Sequence, residues 1–216
     1  MKNMTKDTIP GLLMQNIPRA LVIGVEENLI VGAQRAHLAS KGMDTGHIAH
    51  VTGQMRHFHM NQTFYQALET ANVNPTPLRG SGIVTGRSGV FTIGRFNIPE
   101  GVWINGRRSQ TRRQLSYANK AIEPLVQPEL FDAYVPPSEV AVFFVACFAS
   151  SKSMCSESPT SIQIAVPNRN MKSWLFKESI GVFLQRYDHN ITLQDDLAKP
   201  KLKTNIGKRN QNGTDT

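Results

Sequence analysis

The stretch from Val90 to Gln127 constrains the fold more than any other part of the chain. Val90 to Phe96 (VFTIGRF) alternates apolar and polar residues, Asn97 to Gly101 (NIPEG) is turn-forming, and Val102 to Asn105 (VWIN) resumes the apolar run. That pattern predicts a β-hairpin. Gly106-Arg107-Arg108-Ser109-Gln110-Thr111-Arg112-Arg113 follows at once, after which Leu115, Ala118, Ile122 and Val126 recur at helical spacing until Pro128. A helix opening at Gly106 is expected. The first N–H groups of a helix lack internal partners and lie at the positive end of its dipole, so they hold an anion; guanidiniums beside them add paired donors. Phosphate is the expected ligand, in a nucleotide or in DNA, with Asn105, Gly106, Arg107, Arg108, Arg112 and Arg113 as the residues that bind it.

Charge is concentrated in the same place. The formal net charge is +8, and between Arg79 and Arg113 seven arginines face one carboxylate, Glu100. An anionic partner follows, nucleic acid first and an acidic protein or membrane surface after it. The competing account is structural, with Arg107 and Arg113 pairing with carboxylates of a neighbouring element. With 216 residues and 40% hydrophobic content, one domain with appendages is expected. The two cysteines, Cys147 in an apolar run and Cys155 in a polar loop, could close a hairpin loop but indicate no disulfide framework, so a reduced, cytoplasmic protein is expected. No run approaches the roughly 18 to 20 apolar residues that span a bilayer, so no integral membrane segment is expected. Asp7 and Pro10 interrupt the N-terminal stretch, and no signal peptide is expected.

Along the chain, residues 1–18 are expected to form a loosely packed arm, 19–189 a single domain, and 190–216 a disordered basic tail. Arg19 to Val25 predicts a strand, Glu26-Glu27-Asn28 a turn that is solvated or metal-binding, Leu29 to Val31 a second strand, and Ala33 to Lys41 a short helix. His47, His50, His57 and His59 either hold a metal or face solvent or nucleic acid; no cysteine or acid joins them in a zinc-like spacing. Phe64, Tyr65 and Leu68 predict a helix over Asn61 to Asn72 that packs into the core. The proline- and glycine-rich Asn74 to Gly89 is a linker or a loop over a ligand. Within it Gly82 to Ser88 falls short of a P-loop by one residue and lacks its lysine, leaving a turn that could still form an anion nest. Val140 to Phe148 and Ser161 to Val166 predict two strands of an antiparallel hairpin, and Asn170 to Tyr187 a packed helix with Trp174 as an anchor. The lysines of the tail offer an electrostatic contact to DNA or to anionic lipid at the inner face of the membrane.

A strand, a turn, a second strand and then Gly-x-Arg-Arg entering a helix resembles the phosphate-binding signature of the ParB/sulfiredoxin superfamily. Within it, GRFNIPEGVWINGRRSQTRRQ, FFVACFASS and SIQIAVP resemble the plasmid fertility inhibition factors, over about Val90 to Tyr187. The resemblance implies an α+β ParB/sulfiredoxin-like domain with a mixed sheet and flanking helices. It also implies ATP hydrolysis and DNA cleavage with a divalent cation, Mg²⁺ or Mn²⁺, used to block transfer of a competing plasmid or of T-DNA. Gly106 matches the superfamily glycine, and Arg107 and Arg108 match its basic pair. Two positions depart from the pattern: Arg107 stands where ParB-like chains carry Glu, and the reactive cysteine of sulfiredoxins is absent.

Three function classes follow. A nuclease and ATPase needs an activated water beside the arginines, with Glu100 as the first candidate carboxylate and Glu123, Glu139 and Glu157 as alternatives. A DNA-binding module needs only the basic surface. A protein-binding inhibitor would set that surface against a type IV secretion coupling protein or a relaxosome component.

Overall fold

The computed structural model describes residues 8–126, 137–149 and 156–195. Helix α1 (Ile9–Asn16) opens on Thr8, whose hydroxyl accepts a hydrogen bond from Gly11 N at 3.3 Å. Pro10 lies in the first turn, where no N–H is required. Ile9, Leu12, Leu13 and Ile17 are buried in the main core, so this part of the expected arm is packed in place. The prolines and glycine that read as breakers instead mark helix starts.

Pro18 caps α2 (Arg19–Ser40), one continuous helix where two strands and a turn were expected. Leu21, Val22, Val25, Leu29, Gly32, Ala33 and Ala36 are buried at helical spacing. The run RALVIGV satisfies a strand locally, and only the persistence of that stripe beyond Glu26-Glu27 distinguishes the helix. Helix α3 (Thr45–Thr70) returns antiparallel to it. At the crossing, a Cβ on Gly32 would lie 2.5 Å from Thr63 Oγ1 and 2.8 Å from Met60 Cα, so the backbones meet there without a side chain between them.

A five-stranded sheet follows in the order β1 (Thr85–Ser88), β2 (Phe91–Pro99), β3 (Val140–Phe148), β4 (Ser161–Pro167), β5 (Trp174–Ser179). Strands β2 and β3 are parallel, from Phe91 beside Val140 to Pro99 beside Phe148, and the other pairs are antiparallel. The chain is therefore α+β with a mixed sheet and flanking helices. The predicted β3–β4 hairpin is present. One sheet face, with Phe91, Ile93, Val142, Phe144, Ile162 and Ile164, packs into the core shared with α1 to α3 and α5 (Ile180–Asp195). The other, with Phe96, Ile98, Phe143 and Val145, lies under Trp103, Leu115 and Met171.

Three expectations are corrected. Val102 to Asn105 does not return as a strand, because both edges of β2 are already taken by β1 and β3; Trp103–Arg108 is a 3-10 helix instead. Trp103 packs edge-on against Trp174, with ring centroids 4.9 Å apart. Residues 174–179, read as helix, form β5 against β4, and α5 begins only at Ile180. Helix α5 then runs to Asp195, six residues into the stretch expected to be disordered, while 196–216 lie outside the described residues. Cys155 lies outside them too. No helix among the described residues is long and apolar enough to cross a membrane.

Candidate anion-binding site

The parallel β2–β3 pairing requires a crossover, and the basic motif is that crossover. The helix expected to open at Gly106 opens four residues later. Helix α4 (Gln110–Tyr117) is capped by Ser109, whose hydroxyl accepts from Arg112 N at 3.4 Å. It passes into a 3-10 helix over Ala118–Leu125, anchored by the buried Ile122. Arg107 and Arg108 therefore sit in the 3-10 turn ahead of the cap, and Arg112 and Arg113 in the first turn of α4.

Neighbouring residues on a helix point about 100° apart, so Arg112 and Arg113 cannot face one ligand from the same side. Arg112 folds back over the 3-10 turn. Its Nε donates to Gly106 O at 2.8 Å and its Nη2 to Asn105 O at 3.3 Å, and the guanidinium stacks 4.7 Å from the Phe96 ring centroid. Burial lowers its pKa from the ordinary arginine value. Gly106 is buried, and a Cβ there would lie 3.2 Å from the Phe96 ring, so the glycine permits this close packing.

Arg107 and Arg113 turn the other way, into an open cleft of 540 Å³. Gln110, Gln114 and Tyr117 line its α4 wall; Arg169, Asn170 and Lys172, from the turn between β4 and β5, line the other. That turn is fixed from within. Asn168 Oδ1 accepts from Lys172 N at 2.8 Å and from Ser173 N at 3.4 Å, and Met171 takes a positive φ of 51°. Glu123 holds the turn to the crossover, accepting from Arg169 N at 3.0 Å and pairing with its guanidinium at 3.5 Å. Arg107 Nε is buried with no hydrogen-bond partner. The cleft thus presents four cations, three of them with no carboxylate partner among the described residues, beside an exposed tyrosine ring.

The expected phosphate-binding set is therefore divided. Arg107 and Arg113 share the cleft, Arg112 serves the opposite side, Arg108 is exposed outside the lining, and Asn105 and Gly106 support Arg112 through their carbonyls. Arg169 and Lys172 are not singled out by the sequence, which places Lys172 in a helix expected from Asn170 and leaves Arg169 just before it; a basic run after a half-buried strand is the available signal. Glu100 is at the far end of β2, where its N–H donates to Phe148 O at 2.7 Å and its carboxylate accepts from Thr160 Oγ1 at 3.4 Å. It does not line the cleft. Glu139 accepts from Thr92 Oγ1 at 3.1 Å, and Glu157 is exposed.

The lining fits the phosphates of ATP or of DNA. It does not fit a divalent cation, since none of the described side chains that line it is a carboxylate. The four histidines all lie on α3, and no three His, Cys, Asp or Glu side chains converge as metal ligands among the described residues. Comparison with protein-family models, with curated proteins and with solved structures finds no match.

Proposed function

We propose that this protein binds DNA through its backbone phosphates along the cleft between α4 and the β4–β5 turn. The observation that carries this reading is the convergence of Arg107, Arg113, Arg169 and Lys172 on one open cleft with no lining carboxylate among the described residues. Cations that fit phosphates without reading base edges give affinity without much sequence preference. Gln110, Gln114 and Asn170 add neutral donors at the same surface, and the Tyr117 ring offers a face for an unpaired base. The role served by such binding is that of a plasmid fertility inhibition factor, in which holding DNA blocks transfer of a competing plasmid; the resemblance over Val90 to Tyr187 supports it. Binding suffices for this reading. Among the described residues the cleft has no lining carboxylate to activate water.

The test is transfer frequency from donor cells that produce the protein. The wild type lowers transfer, and the double variant Arg107→Gln with Arg113→Gln restores it at equal protein level. Undiminished inhibition by the double variant overturns the reading and turns attention to a protein partner in the transfer channel.

A further inference from the structure

The arginine that turns away from the cleft lies near a second one. Arg95 is on β2, on the face covered by α3, and is 3% exposed. Its Nε and Nη2 donate to Asn61 Oδ1 at 2.9 and 2.7 Å, Nη2 donates also to the His57 carbonyl at 2.7 Å, and Nη1 donates to Asn97 Oδ1 at 3.0 Å. Every one of these acceptors is neutral. Neither Arg95 nor Arg112 forms an ion pair with a carboxylate among the described residues. Buried cations are ordinarily paired, because neutral hydrogen bonds do not fully offset their lost hydration. Here burial, and then the charge of Arg112, pushes the Arg95 guanidinium down to about 9, which leaves it charged at neutral pH.

Between the two arginines is a cavity of 210 Å³, bounded by Gly53, His57 and Asn61 of α3 and by Asn97 of β2. Gly53 is exposed and forms its mouth. A guanidinium carries five N–H groups. Arg112 commits two of them to the Asn105 and Gly106 carbonyls, so three remain, and the Phe96 ring beneath it fixes its plane. Burial, and after it the charges of Arg95 and Arg112, hold the His57 imidazole below the ordinary histidine range, against a raising contact from the Ser81 carbonyl. The cavity therefore has two positive charges, spare donors and no counter-charge among the described residues.

We infer that this cavity binds a small phosphate-class dianion, either free phosphate or the terminal phosphate of a mononucleotide, between the guanidiniums of Arg95 and Arg112. It is separate from the open cleft, on the opposite side of α4. A dianion there cancels the repulsion between the arginines and removes the charge that depresses His57.

The experiment is an NMR titration of the full chain at constant ionic strength with inorganic phosphate, with adenosine monophosphate and with chloride, following the His57 ring. Saturable binding that raises the His57 pKa is expected, with chloride inert. Saturation by phosphate identifies the free ion as sufficient, and saturation by the nucleotide alone identifies the nucleotide as the source. Gly53→Leu fills the cavity from a position where a Cβ meets nothing within 4 Å, so its fold is retained. It should weaken binding by at least about tenfold, as should Arg112→Gln. Arg107→Gln with Arg113→Gln should leave this binding unchanged, so failure here is distinguishable from failure of the DNA reading. No saturable shift at His57 with either anion, or wild-type affinity in Gly53→Leu, overturns the inference.

Discussion

Gly32 and Gly53, on neighbouring helices, should respond in opposite ways to one added methyl group. Gly32 lies at the crossing of α2 and α3, where a Cβ would approach the Met60 backbone to 2.8 Å, a contact that only a shift of a whole helix relieves. Gly53 faces open space. Alanine has the higher helix propensity at both positions, so propensity alone predicts stabilisation twice. Packing reverses the sign at the first: Gly32→Ala should destabilise by about 1–3 kcal/mol, the usual range for overpacking. Gly53→Ala should stabilise by roughly 0.5–1 kcal/mol. Urea unfolding midpoints of the two variants measure both. In the sequence the two glycines look alike, because the close approach at Gly32 depends on a helix about 30 residues away, and nothing local to it records that neighbour.

At the level of elements, the crossover keeps its place through one side chain. Asn119 is fully buried in the 3-10 helix over 118–125. Its amide donates to Ala141 O at 3.0 Å and Pro167 O at 2.6 Å, and its Oδ1 accepts from Ala141 N at 2.6 Å. Both β3 and β4 are thereby tied to the segment that carries the arginines. Asn119→Ala leaves three buried backbone groups without partners and should cost on the order of 3 kcal/mol, read as a loss of thermal or denaturant stability. Strands β3 and β4 are legible in the sequence because VAVFFVACF and SIQIAV have strand length and strand patterning. Helix α2 is not, since Arg19 to Val25 fits either period over seven residues. Nor is β5. Met171, Trp174, Leu175, Val182 and Phe183 fit a helical spacing, and only pairing with β4 selects the strand over 174–179. Parallel β2–β3 pairing is equally hidden, as the partners are 49 residues apart along the chain.

On the scale of the whole molecule, the crossover sets Arg107 and Arg113 across from Arg169 and Lys172, and α4 separates them from Arg95 and Arg112. The basic motif was legible as a cluster of arginines, but its division between two sides was not. That division follows from the four-residue delay of the helix start and from the angle between successive helical residues. Because Arg169 is paired with Glu123, about three cations remain for DNA phosphates, and the logarithm of affinity should fall with the logarithm of salt with a slope of roughly −3. The decisive measurement is fluorescence anisotropy of a labelled duplex of arbitrary sequence titrated with the full chain in rising salt. The wild type is expected to show that slope, the Arg107→Gln, Arg113→Gln double variant a slope smaller by about 2, and unrelated sequences little difference in affinity. A double variant with wild-type affinity and slope would contradict the DNA reading.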